Sequence, residues 1–522
     1  MSKLEESTQP PIDMVDLNDK TSTEPVEKAY SIYTSKEKWF IVTLVSFAGI
    51  FSPFTANIYF PAIPTLVSAF HKSTELINLT VTMYMILQGL SPMFFGSFAD
   101  FHGRRPIFVL CLFVLCLSCV GLALVPTNAY WLLMVLRCVQ ATGSASTIAL
   151  GAGVIGDIAI PAERGGFFGF YSLGPMLGPA FGPVIGGALS DGLGWRSIFW
   201  FLCIASGFAC IVMLLFLPET LRQLVGDGSI APSPIHRPII PIISRHYSEW
   251  TSGSPRPPRR KFRNPLLLFK NLDILMLLLF NGIVYSVFYA VTASISSLFA
   301  EIYPFLNDST IGLCYLAIGV GTAVGSAGTG KVLDWDFQRA KKAYIESHGS
   351  ESMKNESGEL EDDFPIEKAR LMSMSYATLI LVSAGMGYGW CLQKRVHIAA
   401  PLVLQFISKY FTRLLFYLIF FVLVGALSMS VMNPTQTLIL DLVPGQGSSV
   451  TACNNIVRCL LGAVSVSVID LILNSLRPGF TYVLLNGIII ISMPLIYLVI
   501  RMGPRFRRKR READVKTLVA QS

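Results

Sequence analysis

Charged residues are scarce in this sequence. Asp, Glu, Lys and Arg make up only 14% of its 522 residues, whereas 52% are hydrophobic and the mean hydropathy is +0.56. A soluble protein carries about 25% charged residues because polar groups must cover its surface. The shortage excludes a set of soluble domains and indicates that lipid, rather than water, surrounds most of the chain.

Catalytic and metal-binding patterns are also missing. The ten cysteines form no Cys-x-x-Cys pair and, apart from Cys391 near a helix end, lie in apolar runs. We therefore expect small core thiols rather than disulfides or metal ligands. No nucleophile–base pair and no phosphate-binding glycine loop is visible. The sequence predicts no enzyme activity, no metal and no cofactor.

A secretory signal is absent from the start of the sequence. Residues 1–38 are polar and contain neither a basic segment before an apolar one nor a small-residue cleavage site. We expect 1–38 to form a disordered tail in the cytosol.

Long apolar runs are what the sequence has in abundance. A membrane-spanning helix needs about 20 mostly apolar residues. Runs of this kind lie at 39–60, 76–99, 106–126, 129–156, 165–190, 195–217, 272–300, 309–333, 371–391, 398–440, 447–473 and 480–502. They predict an all-α integral membrane protein with about twelve transmembrane helices.

Basic residues assign the two sides of the membrane. Arginines and lysines concentrate after the second span, in 218–270, in 336–370 and after residue 502, which indicates that these segments are cytosolic. Both termini are then cytosolic. The net charge of +8 is explained by contact with an anionic lipid leaflet rather than by nucleic acid.

The same features divide the chain into five segments. We expect a tail at 1–38, six-helix bundles at 39–217 and 271–502, a basic cytosolic loop at 218–270 and a basic cytosolic tail at 503–522. The second bundle contains a further cytosolic loop at 336–370. Two sequons on the predicted outer side make Asn307 and Asn78 candidates for glycosylation.

An internal repeat relates the two bundles. The string Gly-Ser-Phe-Ala-Asp at 96–100 follows the second span, and Gly-Lys-Val-Leu-Asp at 330–334 follows the eighth, each with basic residues shortly after. Duplicated halves are typical of alternating-access transporters, whose substrate site lies between the halves. We expect pseudo-two-fold symmetry and a gate formed by charges at the membrane edge. Its candidate residues are Asp100, Arg104, Arg105, Asp157 and Asp334.

These strings resemble the major facilitator superfamily, and specifically its twelve-helix drug:proton antiporter family. Residues 96–105 are similar to the loop motif of that superfamily, 136–143 to its fourth-helix motif and 178–187 to its antiporter motif. Within the family, 57–61 and 454–459 resemble the fungal quinidine-resistance subgroup. The resemblance covers about 39–510. It implies an exporter energised by a proton gradient.

Arg137 is the main candidate for proton coupling. It lies well inside the fourth span, where a guanidinium is costly unless it faces a cavity or a partner. A cation there lowers the pKa of a neighbouring carboxylate and so favours proton release in one conformation. The first span offers Asn57 but no acid, so the carboxylate partner is left open.

Glycine and proline alternate along the fifth span. Glycines recur every four residues from 174 to 186, and prolines follow three of them. Close packing on a bent axis follows from this pattern, and we expect this face to seal one half against the other. The residues are Gly174, Pro175, Gly178, Pro179, Gly182, Pro183, Gly186 and Gly187.

Polar and aromatic residues at mid-depth are candidates for substrate contact. They are Asn57, Tyr84, Gln88, Gln140, Asn281, Tyr285, Tyr289, Asn433, Gln436, Asn455 and Arg458. Few fixed charges and many aromatic rings suit amphipathic or cationic organic molecules. Arg458 instead fits an anionic substrate, which leaves organic acids open.

The tenth span is too long for one crossing. About 40 residues at ~1.5 Å each reach twice the ~30 Å hydrocarbon core. Either the helix breaks and re-enters, or residues near 407–424 are retained intron sequence. The second explanation is preferred.

The combined prediction is a secondary active transporter. We expect a monomer in the plasma membrane that exports drugs, toxins or small organic metabolites in exchange for protons. Export of organic acids, polyamines or amino acids stays open within the same family. An uptake symporter and a non-transporting membrane sensor are weaker alternatives.

Overall fold

The computed structural model describes most of the chain. The described residues are 31–159, 161–228, 230, 232–240, 265–302, 306–348, 364–394, 409–443 and 447–519. Parts of several predicted segments lie outside them: the tails at 1–38 and 503–522, the loops at 218–270 and 336–370, and the tenth span at 398–440 with the stretch near 407–424.

Twelve long helices correspond to the twelve predicted spans. They are α1 (Ser35–Phe70), α2 (Thr74–His102), α3 (Arg104–Leu124), α4 (Tyr130–Ile158), α5 (Pro161–Leu193), α6 (Arg196–Phe216), α7 (Leu272–Ile302), α8 (Asp308–His348), α9 (Ile366–Lys394), α10 (Lys409–Leu442), α11 (447–476) and α12 (478–519). Ten helical stretches of the described chain are long and apolar enough to cross a membrane. The last of them, Val450–Arg510, includes most of both α11 and α12, so the ten stretches account for every helix except α5. The predicted all-α membrane fold is confirmed.

Local sequence explains where helices begin and break. Thr34 and Glu37 form a capping box that starts α1. Farther along, α1 is interrupted at Ile50 and again before a short 3-10 turn at Phe60–Ala62 that includes Pro61. Arg477 separates α11 from α12 with a positive φ of 62°, because the following proline disfavours a helical conformation at that residue.

Helix packing repeats with a shift of six helices. In the first half α2 packs on α4, α1 on α5, and α3 on α4 and α6; in the second half α8 packs on α10, α7 on α11, and α9 on α10 and α12. Two further pairs, α2 with α11 and α5 with α8, join the halves. This pattern is the pseudo-two-fold arrangement of two six-helix bundles.

Several helices extend past their predicted ends. α8 continues to His348, into the predicted loop at 336–370, and α12 continues to Val519, through most of the predicted tail at 503–522. The extension of α12 is held to the second half by ion pairs of Arg507 with Glu367 and of Arg510 with Asp273. Residues 503–519 of the predicted basic tail are thus helical and continuous with α12, because a helix does not have to end where its apolar run ends.

α10 is one uninterrupted helix from Lys409 to Leu442. A break and re-entry within these residues is therefore wrong. Its apolar part, Val422–Ile439, packs against α8, where Cβ atoms added at Gly321 and Gly325 would meet the backbone of Val422 and Ala426. Retained intron sequence near 407–424 stays a prediction.

Candidate functional site

We call the membrane side opposite to the basic loops the outer side. Contacts between the two halves concentrate there. Asp308 at the start of α8 accepts hydrogen bonds from Thr65 of α1 (2.6 Å) and Ser190 of α5 (2.7 Å). Next to it, Asn307 and Ser309 both donate to Asp191 of α5. These bonds tie the start of α8 to both α1 and α5.

Farther from the outer surface, α2 and α11 stay in contact as far as the middle of the membrane. Thr82 and Ser467 share a hydrogen bond of 2.8 Å, and Asn455 donates to the carbonyl of Gln88 (2.8 Å). By contrast, Cβ atoms added at Gly96 and Gly330, toward the cytosolic side of α2 and α8, would meet nothing within 4 Å. The outer side of the structure is closed.

Six of the predicted substrate residues come together between the halves. Asn57 of α1 contacts Tyr289 of α7, whose ring lies 4.5 Å from that of Tyr285. The guanidinium of Arg458 lies 4.3 Å above the ring of Tyr285. Gln88 and Asn455, bonded across α2 and α11, complete this group, which we call the central cluster.

Arg458 is the one cation of the central cluster. Its side chain is half-buried, and its Nε is a buried atom without a hydrogen-bond partner. None of the ion pairs formed by the described residues involves Arg458. A fixed positive charge without a carboxylate partner is therefore available to a ligand.

Arg137 lies elsewhere, sealed within the first half. It has no exposed surface, and its guanidinium is sandwiched 4.2 Å from the ring of Tyr59 and 4.3 Å from that of Tyr84. It also donates to Gln140 (2.6 Å), while Tyr84 shares a 2.7 Å hydrogen bond with Ser144. Its partners in the described chain are aromatic rings and an amide rather than the expected carboxylate.

Five predicted substrate residues lie outside the central cluster. Tyr84 and Gln140 belong to the surroundings of Arg137. Asn281 is fully buried within the second half, where it donates to Asn454 (2.7 Å). Asn433 bonds Ser326 of α8, and Gln436 is half-buried one turn farther along α10. The position of a residue at the middle of a predicted span does not show whether its side chain points between the halves.

A charge cluster forms at the cytosolic edge of the first half, as predicted. Arg104 contacts Asp100 (2.7 Å) and Asp157 (3.0 Å), which joins α2, α3 and α4. Arg105 does not take part: it is buried and donates to the carbonyls of Leu214 and Ile235.

The second half has a matching pair that the sequence analysis missed. Arg370 near the start of α9 contacts Asp441 near the end of α10 at 2.9 Å, as Arg104 and Asp157 do for α3 and α4. Asp334, the predicted member, is exposed because α8 continues past it. The sequence contains a signal for this pair: Asp157 and Asp441 are each followed by two or three apolar residues and then by a proline.

Glu219 is a second residue that sequence reasoning missed. It is 2% exposed and accepts the backbone N–H groups of Arg104 (2.8 Å) and Arg105 (3.3 Å). These are orphan donors of the first turn of α3, so Glu219 caps that helix.

The glycine stripe of α5 packs within its own half. Cβ atoms added at Gly178 and Gly186 would lie 2.7 Å and 2.1 Å from the backbone of α1. Gly178 and Gly186 therefore face α1 rather than the other half. Two further residues of the predicted set do meet the other half: Gly187 contacts Asp308, and Pro183 contacts Gly312 of α8.

The two sequons differ in structure. Asn78 is 1% exposed and donates to Asp470, so glycosylation there was wrong for this conformation. Asn307 is exposed at the start of α8.

Comparisons with known proteins agree with this architecture. A family model described as Major Facilitator Superfamily matches residues 45–466. The chain is 38% identical over 486 residues to Citrate exporter 1 of Aspergillus niger, which covers 92% of this chain and 89% of that protein. It is 32% identical over 487 residues to MFS antiporter QDR2 of Candida albicans, with 92% of each chain covered.

Solved structures extend the likeness of fold. A D-xylose-proton symporter aligns with a TM-score of 0.62 at 12% identity, covering 88% of this chain and 97% of that one. A bacterial homologue of the lysosomal transporter Spinster aligns with a TM-score of 0.58 at 13% identity, covering 90% and 98%.

Proposed function

The chain belongs to the major facilitator superfamily, and from this premise we propose that it exports small organic acids in exchange for protons. It is a membrane transporter, with two six-helix halves that meet around the central cluster. Alternating access moves a substrate bound between the halves from one side of the membrane to the other.

Arg458 is the observation that carries the choice of substrate class. Its guanidinium lies between the halves without an ion-pair partner, and a planar fork of N–H donors matches a carboxylate in two-point contact. The hydroxyls of Tyr285 and Tyr289 and the amide of Asn57 supply further hydrogen-bonding groups nearby.

Acidic residues are absent from the middle turns of the twelve predicted spans. A cationic substrate would need a carboxylate to offset its lost hydration. For an anionic substrate, Arg458 supplies the opposite charge. These charges therefore favour a pocket that binds anions over the cation-binding pocket that the aromatic residues suggested. The relative named as a citrate exporter supports the same substrate class.

The experiment that tests this proposal uses inside-out vesicles with an acidic lumen and radiolabelled citrate as the probe. Arg458→Gln should raise the KM for citrate about tenfold or more, because one charge-assisted contact is lost. Arg458→Lys should recover part of the affinity. Arg196→Gln, which changes an arginine above Trp195 on the outer side, is the matched control and should behave as wild type.

Two results would contradict the proposal. One is citrate and other di- and tricarboxylates failing to accumulate in wild-type vesicles. The other is Arg458→Gln leaving the KM unchanged. Accumulation that persists after the proton gradient is collapsed would contradict proton coupling.

Export of drugs is a second candidate, favoured by the paired tyrosine rings of the central cluster, Tyr285 and Tyr289. Aromatic faces bind flat organic molecules of many shapes. The relative named QDR2 is an antiporter of the same family. In the vesicle assay, cationic drugs that accumulate in wild type and in Arg458→Gln alike would identify this activity.

The charge pattern supports a proposed orientation in the membrane. We propose a monomer in the plasma membrane with both termini in the cytosol, basic loops against anionic lipid, and a glycan at Asn307. Loss of a glycosidase-sensitive mobility shift in Asn307→Gln would identify that glycan.

A further inference from the structure

Asp470 is the acidic side chain buried most directly in the contact between the two halves. It lies about two turns before the outer end of α11 and is only 6% exposed. Its Oδ2 accepts a hydrogen bond from Asn78 of α2, which is itself 1% exposed. The proposed function uses neither residue so far.

No ion pair of the described residues neutralises Asp470. Among the described residues, the titratable or charged groups around this end of the helices are His71, Lys72, Glu75, Tyr130, Glu301, Arg477 and Tyr482. His71, Lys72, Glu301 and Arg477 are exposed. Glu75 has the same sign as Asp470, and Tyr482 bonds Ser294 (2.7 Å). A charged Asp470 would thus be a buried anion without a cation, which is costly.

The hydrogen bonding of Asn78 provides independent evidence that the carboxyl group of Asp470 is protonated. Its Oδ1 is buried and has no hydrogen-bond donor. A neutral carboxyl group carries an O–H that can donate to this oxygen while its other oxygen accepts from the Asn78 amide. The acid and the amide then form two complementary hydrogen bonds, and no buried polar atom of the pair is left unsatisfied.

We propose that Asp470 is a proton-binding site of the outer gate, and that closure of the outer side takes up one proton there. When α2 and α11 separate, the carboxylate is hydrated and ionised. An outer hydronium ion then protonates it, leaving water and a neutral carboxyl that can be buried against Asn78. This inference rests on the proposed exchange of substrate for protons, because it specifies where outer protons act.

Hydrogen–deuterium exchange of the purified protein in lipid nanodiscs tests the proposal without any substrate. Protection of the amides in 76–84 and 462–472 reports closure of α2 on α11. At about pH 5, wild type and Asp470→Asn should be equally protected, because an amide mimics the neutral acid. At about pH 8 the same amides should exchange about tenfold faster in wild type than in Asp470→Asn, because an ionised carboxylate opposes burial.

A second variant acts in the opposite chemical sense. Asn78→Asp places two carboxyl groups together, so a pair that shares one proton still carries a buried negative charge, and closure without charge requires both groups to be protonated. Its amides should therefore lose their protection at a pH about one unit or more below that of wild type. Glu301→Gln is the matched control, since Glu301 is an exposed carboxylate at the outer end of α7. Its exchange should follow wild type at both pH values.

Equal exchange of wild type and Asp470→Asn at both pH values would overturn the proposal, as would an Asn78→Asp variant that stays protected to a higher pH than wild type. Failure of citrate transport would leave these results intact. If the protein transports citrate but the exchange of these amides does not depend on pH, the proton site at Asp470 is refuted and the proposed export of organic acids is not.

Discussion

A guanidinium buried between two aromatic rings is stabilised differently from one that faces a carboxylate. Arg137 lies flat between Tyr59 and Tyr84, and its Nε and one terminal nitrogen have no hydrogen-bond partner. Cation–π attraction in a desolvated site contributes about 2 kcal/mol or more for each favourable contact. The site therefore depends on the planar shape of arginine as well as on its charge.

Lysine at this position should be a poor replacement. Arg137→Lys keeps the charge but loses stacking, so we expect the free energy of unfolding to fall by about 2 kcal/mol. Arg137→Ala should abolish pH-driven efflux while protein still reaches the membrane. Tyr84→Phe keeps the ring and loses the bond to Ser144, which makes it the matched control with most activity retained. Thermal unfolding in detergent and efflux rates provide the measurements.

Wild-type stability and efflux in Arg137→Lys would show that charge alone is required. Low efflux together with unchanged thermal unfolding would assign the rings a role in transport rather than in stability.

Sequence alone could locate Arg137 but not its partners. An arginine in the centre of an apolar run has to be buried, so its position was predictable. Tyr59 was not, because it lies at an interruption of α1, where helical periodicity gives no direction for a side chain. Arg458 was predictable as a residue of the cavity for the same reason as Arg137. Its lack of an ion-pair partner depends on the packing of separate helices.

At the scale of elements, α5 depends on close approach to α1. A Cβ added at Gly186 would lie 2.1 Å from the carbonyl oxygen of Ile58, whereas one added at Gly192 on the same helix would meet nothing within 4 Å. Backbone cannot move aside as a flexible side chain can. The two glycines therefore differ in what they permit, although both lie on one helix.

Gly186→Ala should force the two helices apart. Overpacking of this kind costs about 1–3 kcal/mol, so we expect a lower unfolding temperature and less protein at the membrane. Gly192→Ala is the matched control and should be neutral, since its added methyl group has open space. Similar unfolding temperatures for both variants would contradict tight packing between α5 and α1.

Spacing and hydropathy predict different properties of an element. The four-residue glycine spacing indicated a tightly packed face, but α1 as its partner is a matter of tertiary structure. Apolar runs placed all twelve helices in the membrane, yet they missed the extensions of α8 and α12. Hydropathy marks where a helix leaves lipid, whereas helix ends depend on capping groups and on ion pairs such as Arg510 with Asp273.

At the scale of the whole molecule, ion pairs and inter-half bonds have separate roles. Arg104 with Asp157 and Arg370 with Asp441 each join helices of one half. They stabilise the halves as units at the cytosolic edge. The bonds at the outer side join one half to the other and must break when the outer side opens. Export therefore requires these outer bonds to be reversible.

A covalent link at the outer side tests this requirement. Thr65 and Asp308 belong to opposite halves and their side chains are hydrogen-bonded at 2.6 Å, so cysteines placed there face each other across the contact between the halves. Oxidised Thr65→Cys/Asp308→Cys should lose export by about tenfold or more, because alternating access requires the outer ends to separate. Reduction should restore it, and each single variant, which contains only the native cysteines besides its own, should be insensitive to oxidant. Continued export by a fully cross-linked protein would mean that the substrate leaves by a path that does not separate α1 from α8.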